Sequence, residues 1–201
     1  TDHQLGRVLT MAVDMDMVAF ARSNDDKIIR VHSKDHESAI VSLEDLSIQK
    51  EEYFTTKGLV RGLAHYYQQI NGVVGGVDVY VESEVASGSG LSSSAAIEVL
   101  ILTILDHFYH TKAISKTQIG IMAQQAENHY FNKPCGLMDQ LIIAHGGCCA
   151  IDFYDKKHPT IDKTFLDSIF DAMDICLVQC GGSHADLSND YAEIFDDCRK
   201  L

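Results

Sequence analysis

A Gly/Ser stretch set between a strand pattern and a helix pattern limits what this chain can fold into more than any other feature. Residues 88–95 read Gly88-Ser89-Gly90-Leu91-Ser92-Ser93-Ser94-Ala95 and lead directly into the apolar helical run Ala96 to His107. Ahead of it, Gly76 to Val85 alternates Val77, Val79 and Val81 with Asp78, Tyr80 and Glu82, the period-two pattern of a half-buried strand. A strand that turns through such a loop into a helix offers a stack of backbone N–H groups to an anion. The glycines permit close backbone approach and positive φ, the serines add hydroxyls, and the helix N-terminus adds roughly half a positive charge. Taken alone, the same residues also describe a solvated strand-to-helix turn. Two sharper loop types are excluded: no Lys follows the last glycine as G-x-x-x-x-G-K-[ST] requires, and no G-x-S-x-G elbow is present.

The remaining chain supplies a core for that loop to sit on. With 201 residues, 46% of them apolar and 22% charged, the composition is that of a globular protein able to bury a sizeable interior. There is no run of 18 apolar residues and no basic start followed by an apolar stretch, which predicts a soluble, cytoplasmic protein. A net charge of −13 without a clustered basic face argues against nucleic acid or an anionic membrane as partner. The six cysteines contain no C-x-x-C pair, so reduced, mostly buried thiols are expected, and the scattered histidines suggest no zinc site.

Val8 to Ala12, Met17 to Arg22 and Lys27 to Ser33 read as an N-terminal β-meander, with Asn24-Asp25-Asp26 as a turn. Lys57 to Ile70 carries Leu59, Val60, Leu63, Ala64, Tyr67 and Ile70 at helical spacing and stops at Asn71-Gly72. Ser115 with Gln118 forms a capping box for a helix from Lys116 to about Phe131, closed by Lys133-Pro134. Asp139 falls early in a short helix, and Gly146-Gly147 then leads to a strand from Cys148 to Phe153. A further strand is expected over Asp174 to Gln179 and a helix from Tyr191 onward.

Three segments recur in a known order: the loop at 88–95, Gln124-Gln125-Ala126-Glu127 on the next helix, and Pro134-Cys135-Gly136-Leu137-Met138-Asp139-Gln140 after it. Together they resemble the galactokinases of the GHMP small-molecule kinase family. Thr1-Asp2-His3 followed by Gly6-Arg7-Val8-Leu9 is similar to the latter part of the family's sugar-binding G-E-H-T-D-Y segment, and Asp190-Tyr191 with Cys198 resembles its E-Y-x₆-C element. The resemblance implies an α+β fold, a GHMP-kinase N-terminal domain with a mixed β-sheet and packed helices over 1–172, followed by the beginning of a ferredoxin-like C-terminal domain over 173–201.

By the same resemblance, Gly88, Ser89, Gly90, Leu91, Ser92, Ser93 and Ser94 hold the ATP phosphates, Ser94 and Glu127 ligate Mg²⁺, and Asp139 is the catalytic base. Asp2, Gly136, Asp139 and Tyr191 would bind the sugar. The implied activity is transfer of the γ-phosphate of ATP to the anomeric hydroxyl of galactose. That chemistry needs a clamp on the phosphates, a cation to offset their charge and a carboxylate to accept the hydroxyl proton. Alternatives are a kinase for another hexose such as N-acetylgalactosamine, a non-catalytic sensor of galactose and ATP, or a purely structural α+β domain. Against the family pattern the chain starts within the sugar-binding segment and stops before the C-terminal Gly-rich segment, so it is expected to be the central portion of a longer enzyme and inactive alone.

Overall fold

The computed structural model describes residues 2–34, 37–85, 88, 90–155, 157–163, 176–178 and 197. Four strands alternate more buried and more exposed residues and form one mixed sheet, whose outer face carries Val18, Phe20 and Ile40 beside polar side chains: β2 (Met17–Asn24), β3 (Ile28–Ser33), β4 (Ala39–Ser42) and β5 (Gly76–Ser83). Their order is β2-β5-β3-β4, with β5 antiparallel to β2 and parallel to β3. Val77, Val79 and Val81 face inward as their alternation predicts, beside Ile29, Val31 and Val41 of the neighbouring strands. A second, antiparallel sheet joins β1 (Arg7–Met11), β6 (Cys148–Asp152) and β7 (Thr160–Lys163) in the order β1-β6-β7.

This corrects the expected meander. β1 pairs with β6 across about 140 residues of sequence, and β5 inserts between β2 and β3. The turn after Asn24 does form, closed by Asn24 Nδ2 donating to the Ile28 carbonyl at 3.0 Å. It does not make a hairpin, because β5 lies between the two flanking strands and pairs with both.

Helices cover the inner face of the mixed sheet. α1 (Thr56–Asn71) starts where the Thr55 side chain accepts from the Gly58 amide, and ends at Gly72 in the left-handed region with φ 86°. α2 (Ser93–Tyr109) is the run that leaves the Gly/Ser loop. α3 (Lys116–Ala126) carries the capping box read from Ser115 and Gln118, and continues as a π-helical turn, Glu127–Phe131, that stops at Asn132 with φ 62°. The uniform helix expected to Phe131 therefore changes its winding at Glu127. α4 (Met138–His145) follows, and its Leu141 and Ile142 pack with Cys149, Ile151 and Phe153 into a smaller core under the second sheet. Ile143 touches both cores, so α4 is the joint between the two sheets. No helix among the described residues is long and apolar enough to cross a membrane.

Candidate functional site

The Gly/Ser loop owes its shape to three left-handed residues: Gly88 (φ 74°), Gly90 (φ 78°) and Ser92 (φ 59°). Glycine adopts that region freely, whereas serine does so at some cost and needs a compensating contact. Ser92 has one. Its hydroxyl donates to Asp139 Oδ2 at 2.6 Å, and so it makes no side-chain cap on α2, whose N-cap it is. Ser93 and Ser94 form the first helical turn, half-buried, at the end where backbone N–H groups lack intrahelical acceptors.

Asp139 lies in the first turn of α4, and that turn is built by a residue from the far end of the chain. Asp2 is 7% exposed and its Oδ2 accepts from the amides of Leu137 (2.6 Å) and Met138 (3.3 Å), a remote cap on the helix that carries Asp139. Gly136 makes this approach possible, since a Cβ there would run into the Asp2 carboxylate. The segment between the π-helical turn and α4 is pinned at Cys135, whose amide donates to Asn128 Oδ1 (2.7 Å) and whose carbonyl accepts from Gln124 Nε2 (3.2 Å).

Behind Asp139 lies a polar cluster enclosed by α2, the π-helical turn and α4. Glu127 is 2% exposed; its Oε1 accepts from Lys133 Nζ at 3.0 Å and its Oε2 from Gln140 Nε2 at 2.9 Å. The same Gln140 nitrogen donates to Glu98 Oε2 at 3.1 Å, so one amide bridges two carboxyl groups. Glu98 is completely buried. Burial first, and the Glu127 charge second, push its carboxyl well above the ordinary range. Its Oε1 meets no donor among the described residues, and the Gln140 Oε1 is likewise buried without one. Burial also opposes the charge on Lys133, yet the Glu127 carboxylate wins and holds the ammonium above its usual value. Burial first, and then the Glu127 charge, push the Cys135 thiol far up.

The donor set fits a hard divalent cation. Ser94 and Glu98 are four residues apart on α2 and share a face, so their backbones lie about 6 Å apart along the helix axis. Glu127 accepts one hydrogen bond on each oxygen and keeps lone pairs on both, and orphaned buried oxygens of Glu98 and Gln140 add negative potential beside it. Of the residues expected at the site, Ser92, Asp139, Asp2 and Gly136 meet at the start of α4, while Glu127 belongs to the buried cluster and Ser94 lies in the first turn of α2. Ser89 and Tyr191 lie outside the described residues, as does most of 174–201; of the strand expected over Asp174 to Gln179, the described residues Cys176, Leu177 and Val178 are exposed and in no strand, and of the helix expected from Tyr191 only Asp197 is described, as helical. Sequence reasoning assigned no part to Glu98 or Gln140. The available signal was an acid on the apolar side of α2, one turn after Ser94.

Residues 57–147 match the family model described as GHMP kinases N terminal domain. Among solved structures, the galactokinase of Lactococcus lactis, complexed with galactose, is 22% identical with a TM-score of 0.70, over 83% of this chain and 44% of that one. The mevalonate kinase of Methanococcus jannaschii is 17% identical with a TM-score of 0.69, over 99% of this chain and 66% of that one. The phosphomevalonate kinase of Streptococcus pneumoniae, in complex with phosphomevalonate and AMPPNP, is 12% identical with a TM-score of 0.58, over 81% and 54%. The chain thus spans less than half the length of the galactokinase it is similar to, and its fold is that of a GHMP-kinase N-terminal domain.

Proposed function

We propose that this chain forms the ATP- and sugar-binding part of a sugar 1-kinase that transfers the γ-phosphate of ATP to the anomeric hydroxyl of galactose. The observation that carries the reading is the 2.6 Å hydrogen bond from Ser92 to Asp139, which ties the anion-binding loop to the acid at the head of α4. A phosphoryl donor on the loop and an acceptor hydroxyl at Asp139 would then be neighbours, the arrangement that in-line transfer needs. The N–H groups of the loop and of the first turn of α2 bind and orient the phosphates. The Asp139 carboxylate accepts the proton of the attacking hydroxyl as its oxygen bonds to phosphorus, and ADP leaves with the electron pair of the broken P–O bond.

Ser94 and Glu127 would hold Mg²⁺, which when bound supplies charge neutralisation on the transferred phosphate. Asp2 and Gly136 shape the floor of the sugar site, with Asp2 fixing the turn that aims Asp139. Galactose as the acceptor rests on the C-G-L-M-D-Q run at 135–140 following Gln125-Ala126-Glu127, supported by the likeness to the Lactococcus lactis enzyme. The net charge of −13 disfavours nucleic acid as a partner, and cytoplasmic ATP is the donor expected for the chain. The test is ADP release by the full-length protein from MgATP with galactose, N-acetylgalactosamine or mevalonate as acceptor. Turnover on galactose above the others supports the assignment; turnover on mevalonate alone replaces the substrate, and binding of galactose and ATP without ADP makes the protein a sensor.

A further inference from the structure

The buried amide of Gln140 has a task that neither the loop nor Asp139 explains. One nitrogen, on a residue 1% exposed, donates to Glu98 of α2 at 3.1 Å and to Glu127 of the π-helical turn at 2.9 Å, while its own backbone belongs to α4 next to Asp139. Three elements that carry separate parts of the proposed chemistry are therefore held to one side chain. The Gln140 nitrogen also reaches a third, longer acceptor, Cys135 Sγ at 3.7 Å, but a side-chain amide has only two N–H donors, and the two carboxyl groups are the nearer acceptors. Glu98 takes one N–H and so aims the other at Glu127. An apolar helix such as α2 gains nothing in packing from a fully buried acid, and burying one costs stability, so a role in orientation accounts for Glu98 where packing does not.

We propose that Gln140 and Glu98 are positioning residues for the Mg²⁺-bearing carboxylate Glu127, Gln140 acting directly on it and Glu98 through Gln140; this rests on the kinase reading above. Glu127 has a second tether in Lys133, at 3.0 Å, but that ammonium is one-third exposed on a long flexible stem. The rigid constraint comes from Gln140. Removing the amide leaves Glu127 free to follow Lys133 outward; removing Glu98 leaves the amide free to rotate.

The experiment compares wild type, Gln140→Leu, Glu98→Leu and Glu98→Gln in the full-length protein. It reads the Mg²⁺ concentration for half-maximal rate, the KM for sugar, Mn²⁺ binding with AMPPNP by electron paramagnetic resonance, and thermal unfolding. Losing a hydrogen bond to a charged group should raise the Mg²⁺ requirement and weaken Mn²⁺ binding by about tenfold in Gln140→Leu and Glu98→Leu, with the sugar KM changed by less than about twofold. Glu98→Gln keeps an oxygen to accept from Gln140, so it should stay within about threefold of wild type while Glu98→Leu does not. Folded leucine variants with unchanged metal dependence would overturn the proposal, leaving Glu98 and Gln140 as structural residues that move only the melting temperature. A Glu98→Gln as impaired as Glu98→Leu would overturn the acceptor role. A wild-type protein that binds no Mn²⁺ with nucleotide would overturn the kinase reading itself, and with it any metal for Glu127 to bear.

Discussion

Asp139 gains its position from two partners that sequence spacing cannot connect: Ser92, 47 residues before it, and Asp2, which caps its helix from 135 residues away. Asp139→Asn keeps the size and an oxygen to accept from Ser92 but cannot accept a proton, so turnover should fall by about 10²–10⁴-fold with ATP and sugar affinities within a few-fold. Steady-state kinetics with calorimetric binding checks this, and more than a tenth of the activity remaining would remove Asp139 from the base role. Asp2 and Gly136 yield a second test, because each exists for the other. Asp2→Ala should cost about 1–2 kcal/mol as a lost helix cap, Gly136→Ala should cost a similar amount through collision with the Asp2 carboxylate, and the double variant should be clearly less destabilised than the sum. Additive urea-unfolding energies would show that the close approach has no consequence. The motif resemblance singled out Asp2, Gly136 and Asp139, which lie together at the start of α4, whereas the capping role of Asp2 was not legible, since it is a contact between the chain's first turn and its fourth helix. Glu98 was readable in principle, as a lone acid at the helical repeat of Leu102 and Leu105, but a single buried acid gives no clue to its partner.

At the scale of elements, the sequence was informative wherever a local signal sets an end. α1 begins one residue before its expected start and ends at the predicted Gly72, and α3 shows both halves of the capping box: Gln118 N to Ser115 Oγ at 3.1 Å, and Ser115 N to Gln118 Oε1 at 2.9 Å. Ser115→Ala removes an acceptor at the N-terminus of α3 and should cost about 1 kcal/mol, measured by chemical denaturation; a change below about 0.3 kcal/mol would mean that the helix is held by packing alone. The π-helical turn had no such signal. Glycine 62 explains it in part: a Cβ there would come within 2.7 Å of the Tyr130 ring, so α1 and the turn approach as closely as backbone and ring allow. The winding opens at Glu127, and the acid there points inward, toward Gln140. The strands expected near 8–12, 17–22, 27–33, 76–85 and 148–153 form, whereas β4 and β7 were not expected and the described residues 176–178 of the strand expected over Asp174 to Gln179 form none; the pairing was not legible either, because alternation says which face is buried and nothing about which edge is shared.

At the scale of the whole molecule, the loop between β4 and α1 is held to the helical layer by a buried ion pair as well as by the apolar contacts of Leu46 and Phe54. Arg61 of α1 reaches Glu52 through Nε (2.7 Å) and Nη2 (2.8 Å) and also donates to the Asp45 carbonyl, while Tyr130 donates to the Leu46 carbonyl at 2.7 Å. The Glu52 carboxyl is held below its ordinary value by Arg61 first, against the opposing effect of burial, and by Lys57 as well. On the outer face of the mixed sheet, Arg30 likewise depresses Asp78 and Asp26, though these exposed pairs contribute little. A depressed carboxyl binds fewer protons folded than unfolded, so its contribution is complete above the ordinary glutamate value of 4.5 and is lost as pH falls through the lowered folded value. Stability of this chain should therefore decline from about pH 5 downward. Arg61→Met strands a buried acid and should cost about 3 kcal/mol at pH 7. Because Glu52 then gains by accepting a proton, the gap between the variant and wild type should narrow as pH drops toward 3. Urea unfolding at a series of pH values measures that gap directly, and a gap that stays constant from pH 7 to pH 3 would show that Arg61 holds the loop through the Asp45 carbonyl and packing, with no contribution from the Glu52 charge.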